Sequence, residues 1–148
     1  MKTSELTGVA LDWAVAKCEG KGYVHGETEY AIDGRNYQRG IGQATGPHYS
    51  TNWAQGGPII EREKITLVCA EGDYNQSKAG TPDCYDTYWV AEKGRLSAGT
   101  SYGPQGDDWG EGFHIDVDCM TGPTPLIAAM RCYVASKLGD DVEIPEGL

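Results

Sequence analysis

Three segments of this chain hold residue types that could do chemistry. In FHIDVDC (113–119), strict alternation puts His114, Asp116 and Asp118 on one face of a strand and Phe113, Ile115 and Val117 on the other. One imidazole and two carboxylates are donors for a divalent metal, and a metal there would support hydrolysis. The same alternation is what any strand with one wet face displays, and a solvated face is its ordinary reading.

The second segment, YSTNWAQGGPIIEREK, runs from Tyr49 to Lys64. Tyr49, Thr51, Asn52, Trp53 and Gln55 supply hydroxyls, an amide and aromatic rings. Gly56 and Gly57 admit close backbone approach, and Pro58 fixes the exit toward a strand begun by Ile59 and Ile60. This spacing predicts an anchored binding loop, with a plain turn before a strand as the simpler reading. Arg62 and Lys64 would add positive charge beside Trp53 and Tyr49. An aromatic to stack on a base, a guanidinium for phosphate and glycine backbone for close contact are the parts of a nucleotide pocket.

The third segment is GPTPLIAAMRCYVASKLG (122–139). Thr124 is a good N-cap, Pro125 suits the first helical position and Gly139 suits the end. The free N–H groups at such a terminus favour an anion, so Gly122 and Thr124 are candidates to hold one, against a plain cap. Arg131 is a charge within an otherwise apolar helix. It must pair with a carboxylate such as Glu61 or Glu63, or reach an anionic ligand. His25 and His48 stand in glycine-rich surroundings and read as loop residues. No GxSxG, Walker A, HExxH or GxGxxG arrangement is present, so catalytic residues and cofactors are not expected.

The elements that must position these residues read as α+β, a mainly antiparallel sheet of about five strands with an N-terminal and a C-terminal helix packed on one face. Thr7 caps a helix from Val9 to about Cys18 with Leu11, Ala14, Val15 and Cys18 as its buried stripe, and Gly20 stops it. EYAID and RNYQR flank Asp33-Gly34, which predicts a hairpin with a type I′ turn. KITLVCA (64–70), TYWVAE (87–92) and the 113–119 segment read as strands. Long Gly-rich loops are expected at about 40–58, 71–86 and 94–112. The C-terminal helix is apolar on nearly every side, so it should lie between a sheet and another body, such as a second copy of the protein. DDVEIPEGL then forms an edge strand or frays.

With 148 residues the chain suits a single domain, residues 1–148. Its formal net charge of −10, from 12 basic and 22 acidic residues, repels phosphate backbones and argues against DNA or RNA as partner. No apolar run approaches the ~18 residues that span a bilayer, and the start lacks a secretory signal pattern, so a cytosolic protein without a membrane partner is expected. Five cysteines without a CxxC pair fit neither a disulfide framework nor a zinc knuckle.

The segments KTSELTGVALDWAVAKCEG, YSTNWAQGGPIIERE and GPTPLIAAMRCYVASKLGDDVEIPE resemble the NinX-like family of small accessory proteins of lambdoid and related tailed phages. They cover about 60 of the 148 residues, while 23–47 and 69–112 look longer than the family's usual pattern. The resemblance implies a dispensable gene product in the cytoplasm of an infected bacterium. By analogy with other small phage proteins it suggests counter-defence. The protein would sequester a nucleotide-derived immune signal, such as a cyclic nucleotide or an ADP-ribose derivative, in a homo-oligomer and without catalysis. Its binding set would be Tyr49, Thr51, Asn52, Trp53, Gln55, Gly56, Gly57, Arg62, Thr124 and Arg131. The alternatives are an inhibitor that docks on a host protein through acidic, aromatic loops, including Asp107, Asp108 and Glu111, and a metal-assisted hydrolase using His114.

Overall fold

The computed structural model describes residues 1–38, 45–71, 87–93, 98–102, 108–113 and 120–148. The class is α+β, with more strands and one more helix than the sequence predicts. Among the described residues, eight strands form three separate antiparallel sheets. The first is a meander of β1 (Tyr23–His25), β2 (Thr28–Tyr30) and β3 (Asn36–Gln38). The second joins β4 (Ile65–Glu71), β5 (Thr87–Lys93) and β8 (Met120–Gly122), with β5 central. The third is a ribbon of β6 (Ala98–Tyr102) and β7 (Asp108–Phe113), so the expected 94–112 loop contains a strand pair.

Helix α1 (Gly8–Cys18) ends as its sequence predicts. Gly20 takes φ 64°, donates to Lys17 O, and lets Lys21 N reach Ala16 O, which together form a Schellman closure. At its start, Thr7 is the N-cap but its side chain makes no capping bond. Helix α3 (Pro125–Leu138) meets expectation at both ends. Thr124 Oγ1 accepts from Ile127 N at 3.2 Å, and Gly139 turns the chain at φ 86°.

The apolar circumference of α3 is covered by its own chain. One side lies on β4, β5 and β8 and another on α1, with α2 (Trp53–Glu63) adding a third contact. Leu126, Ala128, Ala129, Met130, Cys132, Tyr133 and Val134 are buried there with Leu11, Ala14 and Val15 of α1. A second copy is therefore not required to cover this helix.

Two further local readings change. The β2–β3 hairpin forms around Asp33-Gly34, but only Gly34 has positive φ (79°), whereas type I′ needs it at both central positions. Gly34 N donates to Ala31 O, and Ala31 N donates to Arg35 O, which is a three-residue loop closed by a left-handed glycine. The C-terminal tail neither frays nor extends a sheet. Met1 and Val142 exchange backbone bonds of 2.9 Å, Thr3 Oγ1 donates to Gly139 O at 2.7 Å, and Val142 is buried.

Candidate functional site

The largest correction falls on Tyr49 to Lys64. It is not a loop leading into a strand, because Trp53–Glu63 is helix α2, with Gly56, Gly57 and Pro58 inside it. Asn52 is the N-cap, its Oδ1 accepting from Ala54 N at 2.9 Å, and Lys64 ends the helix at φ 54°. The two glycines do not use positive φ. Gly56 is buried because α2 crosses the preceding turn and α3 at very short range. A Cβ there would collide with Tyr49 O and stand 2.7 Å from Leu126 Cδ2. Close approach, as the sequence suggests, is what this glycine provides, but the approaching group is the protein's own backbone.

The turn before α2 is fixed from below. Asp12 of α1 is 3% exposed and accepts Ser50 N through Oδ1 at 2.7 Å. His48 N donates to Gln55 Oε1 at 2.6 Å, and the His48 ring places Nδ1 3.8 Å from Asp12 Oδ2. Burial raises the Asp12 carboxyl above its usual range, partly offset by the bonds from Ser50 and Tyr49 and the nearby His48. Burial also pushes the Tyr23 phenol up to about 12, with the Asp12 charge adding to it. Asp12, His48 and Ser50 are the residue types of a hydrolytic triad, but Ser50 is 2% exposed and its hydroxyl cannot meet a substrate. Sequence reading places Asp12 only near the positive end of the first helix and does not connect it to this turn. Its signal was an acid within an apolar helix, the same signal that drew attention to Arg131.

A testable consequence concerns pH. Because folding raises the Asp12 pKa above 3.8, the folded state holds this proton more tightly than the unfolded state. The associated stability is full below the unfolded pKa and is lost as pH rises through the folded one. Asp12→Asn keeps an acceptor for Ser50 N without the charge. Its midpoint temperature relative to wild type should therefore increase from about pH 4 toward neutrality in thermal melts. A relative midpoint that falls over that range would contradict the dominance of burial.

The cations assigned to ligand are engaged within the chain. Arg62 grips both Glu19 oxygens, at 2.5 and 3.3 Å, donates through Nε to Glu63 at 3.2 Å and reaches Tyr133 Oη at 3.3 Å. Glu63 also meets Lys93 at 3.0 Å and Lys137 at 3.8 Å. The Arg62 pKa is raised, first by its bond to Glu19 and then by Glu63. Burial acts upward on Glu19, yet the bonds from Arg62 and Tyr133 outweigh it and lower its pKa. Glu63 is lowered chiefly by Lys93. Arg131 is 8% exposed and bonds neither Glu61 nor Glu63 as expected. Its Nε donates to Leu6 O at 2.8 Å and its Nη1 to Thr121 O at 2.7 Å.

The remaining candidates separate into buried and exposed groups. Tyr49 is buried and offers no stacking face. Thr124 spends its hydroxyl as a cap, and a Cβ on Gly122 would lie 2.7 Å from Ala128 N, so the backbone of β8 closes over the first turn of α3. Thr51, Asn52 and Trp53 are exposed, Trp53 by 55%, while Gln55 and Gly57 are half-buried. Gly57 lies beside the indole, where a Cβ would be 3.9 Å from Trp53 Cε3. Gly56 meets Leu126 of α3, two residues from Thr124, but Arg62 and Arg131 turn to different partners, so the described geometry does not gather the ten residues around one point. His114, Asp116 and Asp118 lie outside the described residues, and among the described residues no cluster of three metal-ligating side chains occurs. Of the candidate residues, those left exposed lie at the start and on the outer side of α2, headed by Trp53.

No helix among the described residues is long and apolar enough to cross a membrane. No curated protein matches the chain. A family model described as Bacteriophage P22, NinX matches residues 2–101, a span that holds α1 and α2 and stops before α3. The chain therefore belongs to the NinX family and is a bacteriophage accessory protein.

Proposed function

We propose that this protein acts by docking, without catalysis, on a protein of the infected host, and that the outer side of α2 is its contact surface. The observation that carries this reading is the 55% exposure of Trp53 on a turn fixed by Asp12, Asn52 and Gln55. A large indole costs little conformational entropy when it binds, and its backbone is already held in place. Such tryptophans are enriched among the residues that dominate interfaces.

Trp53→Ala should change folding stability by no more than about 0.5 kcal/mol, because the side chain is exposed. The same change should weaken the host complex by about 30-fold or more. Affinity of the purified complex, measured for both proteins by calorimetry, checks this. Equal affinities would remove α2 from the interface.

A second reading keeps sequestration of a nucleotide-derived molecule, such as a cyclic nucleotide or ADP-ribose derivative. The exposed indole favours it, since a base could stack there. Ion pairing of Arg62 disfavours it, because phosphate would have to displace two carboxylates. Thermal shifts with cyclic dinucleotides and ADP-ribose separate the readings. Under docking neither compound stabilises the protein, while stabilisation lost in Trp53→Ala would support sequestration.

A further inference from the structure

The outer side of α2 is chemically one-sided. Trp53, Ala54, Pro58 and Glu61 are exposed; the spacings 54 to 58 and 58 to 61 make neighbours of the last three, and Trp53 and Glu61 lie two turns apart on the stripe that passes through Gly57. Pro58 has no N–H, so the Ala54 carbonyl lacks its regular helical donor four residues on, at a point where both residues meet solvent. Gly57 puts no side chain between the indole and Glu61. A π face, a carbonyl and a carboxylate are thus presented along one side of two turns of helix, and all three attract cations.

Three features oppose a cation here: the positive end of α2, the Arg62 guanidinium and the exposed Lys64 that ends the helix. The positive end of α2 is capped by Asn52 Oδ1, and the Asp12 carboxylate lies behind the same turn. The guanidinium of Arg62 is paired with Glu19 and with Glu63, the latter shared with Lys93 and Lys137, so Glu61 faces only the Lys64 ammonium at the helix end. At longer range, the net charge of −10 draws in positive partners.

We infer that the segment docking on α2 is basic. An arginine or lysine lies over the Trp53 indole and donates to the Ala54 carbonyl and the Glu61 carboxylate. This inference rests on the docking reading above and names the chemistry of the partner's contact segment.

The test uses the whole protein, labelled with ¹⁵N, and two Gly/Ser peptides, one rich in arginine and one with glutamine at each arginine position. The arginine peptide should shift the Trp53 indole N–H and the amides of residues 54–61, and the glutamine peptide should not. Trp53→Ala and Glu61→Gln should each weaken the arginine peptide by about threefold or more. Pro58→Ala, which returns a donor to Ala54, should weaken it by a smaller factor. Shifts spread over other acidic surface, or equal affinity in wild type and Trp53→Ala, would overturn the inference. If the arginine peptide ignores α2 while the host complex still depends on Trp53, the basic chemistry is wrong and docking stands. If neither depends on Trp53, both fall.

Discussion

Replacing Arg131 with alanine is expected to destabilise the protein by about 3–5 kcal/mol, the scale set by losing hydrogen bonds from a charged donor, one of them buried and one partly buried. The guanidinium reaches Leu6 O in one direction and Thr121 O in another, at 2.8 and 2.7 Å. It thereby ties α3 to the neighbouring strand β8 and to the N-terminal turn, 125 residues away in sequence. Alanine would leave both carbonyls with a lost partner. In a domain of this size the midpoint should fall by roughly 10–20 °C. Arg131→Lys should fall by less, because one ammonium can satisfy one carbonyl but not span both. Calorimetric melts of the three proteins check the order. A loss within about 1 kcal/mol for alanine would mean that the guanidinium does not hold these segments together.

The adjacent glycines of α2 should respond to alanine with opposite signs. In a helix interior Gly→Ala stabilises by about 1 kcal/mol. At Gly57 nothing opposes that gain, since the added methyl would stand 3.9 Å from the nearest atom, Trp53 Cε3. At Gly56 the methyl would collide with Tyr49 O and lie 2.7 Å from Leu126 Cδ2. Leu126 can rotate, but Tyr49 belongs to a turn that Asp12 holds through Ser50. Overpacking of this kind costs about 1–3 kcal/mol, so Gly56→Ala should be a net loss where Gly57→Ala is a gain. Urea unfolding of both variants reads the difference, and a stabilised Gly56→Ala would show that α2 does not press on this turn.

The contrast also shows what the sequence could and could not convey. Helices α1 and α3 were legible because their signals are local: Gly20 and Gly139 at the ends, Thr124-Pro125 at a start, and apolar residues between them. Helix α2 was hidden because Gly56, Gly57 and Pro58 oppose helix formation locally. Packing against Tyr49 and Leu126 overrides that preference, and those contacts are remote or run across the chain. Asn52 was available as an N-cap signal, and it was read as a ligand group instead. For Arg131 the need for partners was legible, but backbone carbonyls carry no sequence signature, and Leu6 and Thr121 could not be named. Glu19 as the partner of Arg62, and Asp12 as the support of the α2 turn, depend on how α1 packs. The 94–112 segment read as an excursion because its glycines mask the pairing of β6 with β7.

The local structure of Tyr49 to Lys64 was therefore misread as a loop. The segment that drew attention is where the chain exposes a tryptophan on a fixed frame, but its glycines and cations serve the frame. The most direct test is photocrosslinking in phage-infected cells from a benzophenone residue placed at Pro58, beside Trp53 on the outer side of α2, or at Ser136 on α3 as a control. Docking through α2 is expected to yield a single host protein from position 58 that is absent from position 136 and lost when Trp53 is alanine. Equal products from both positions, or a product from 58 that survives Trp53→Ala, would contradict it.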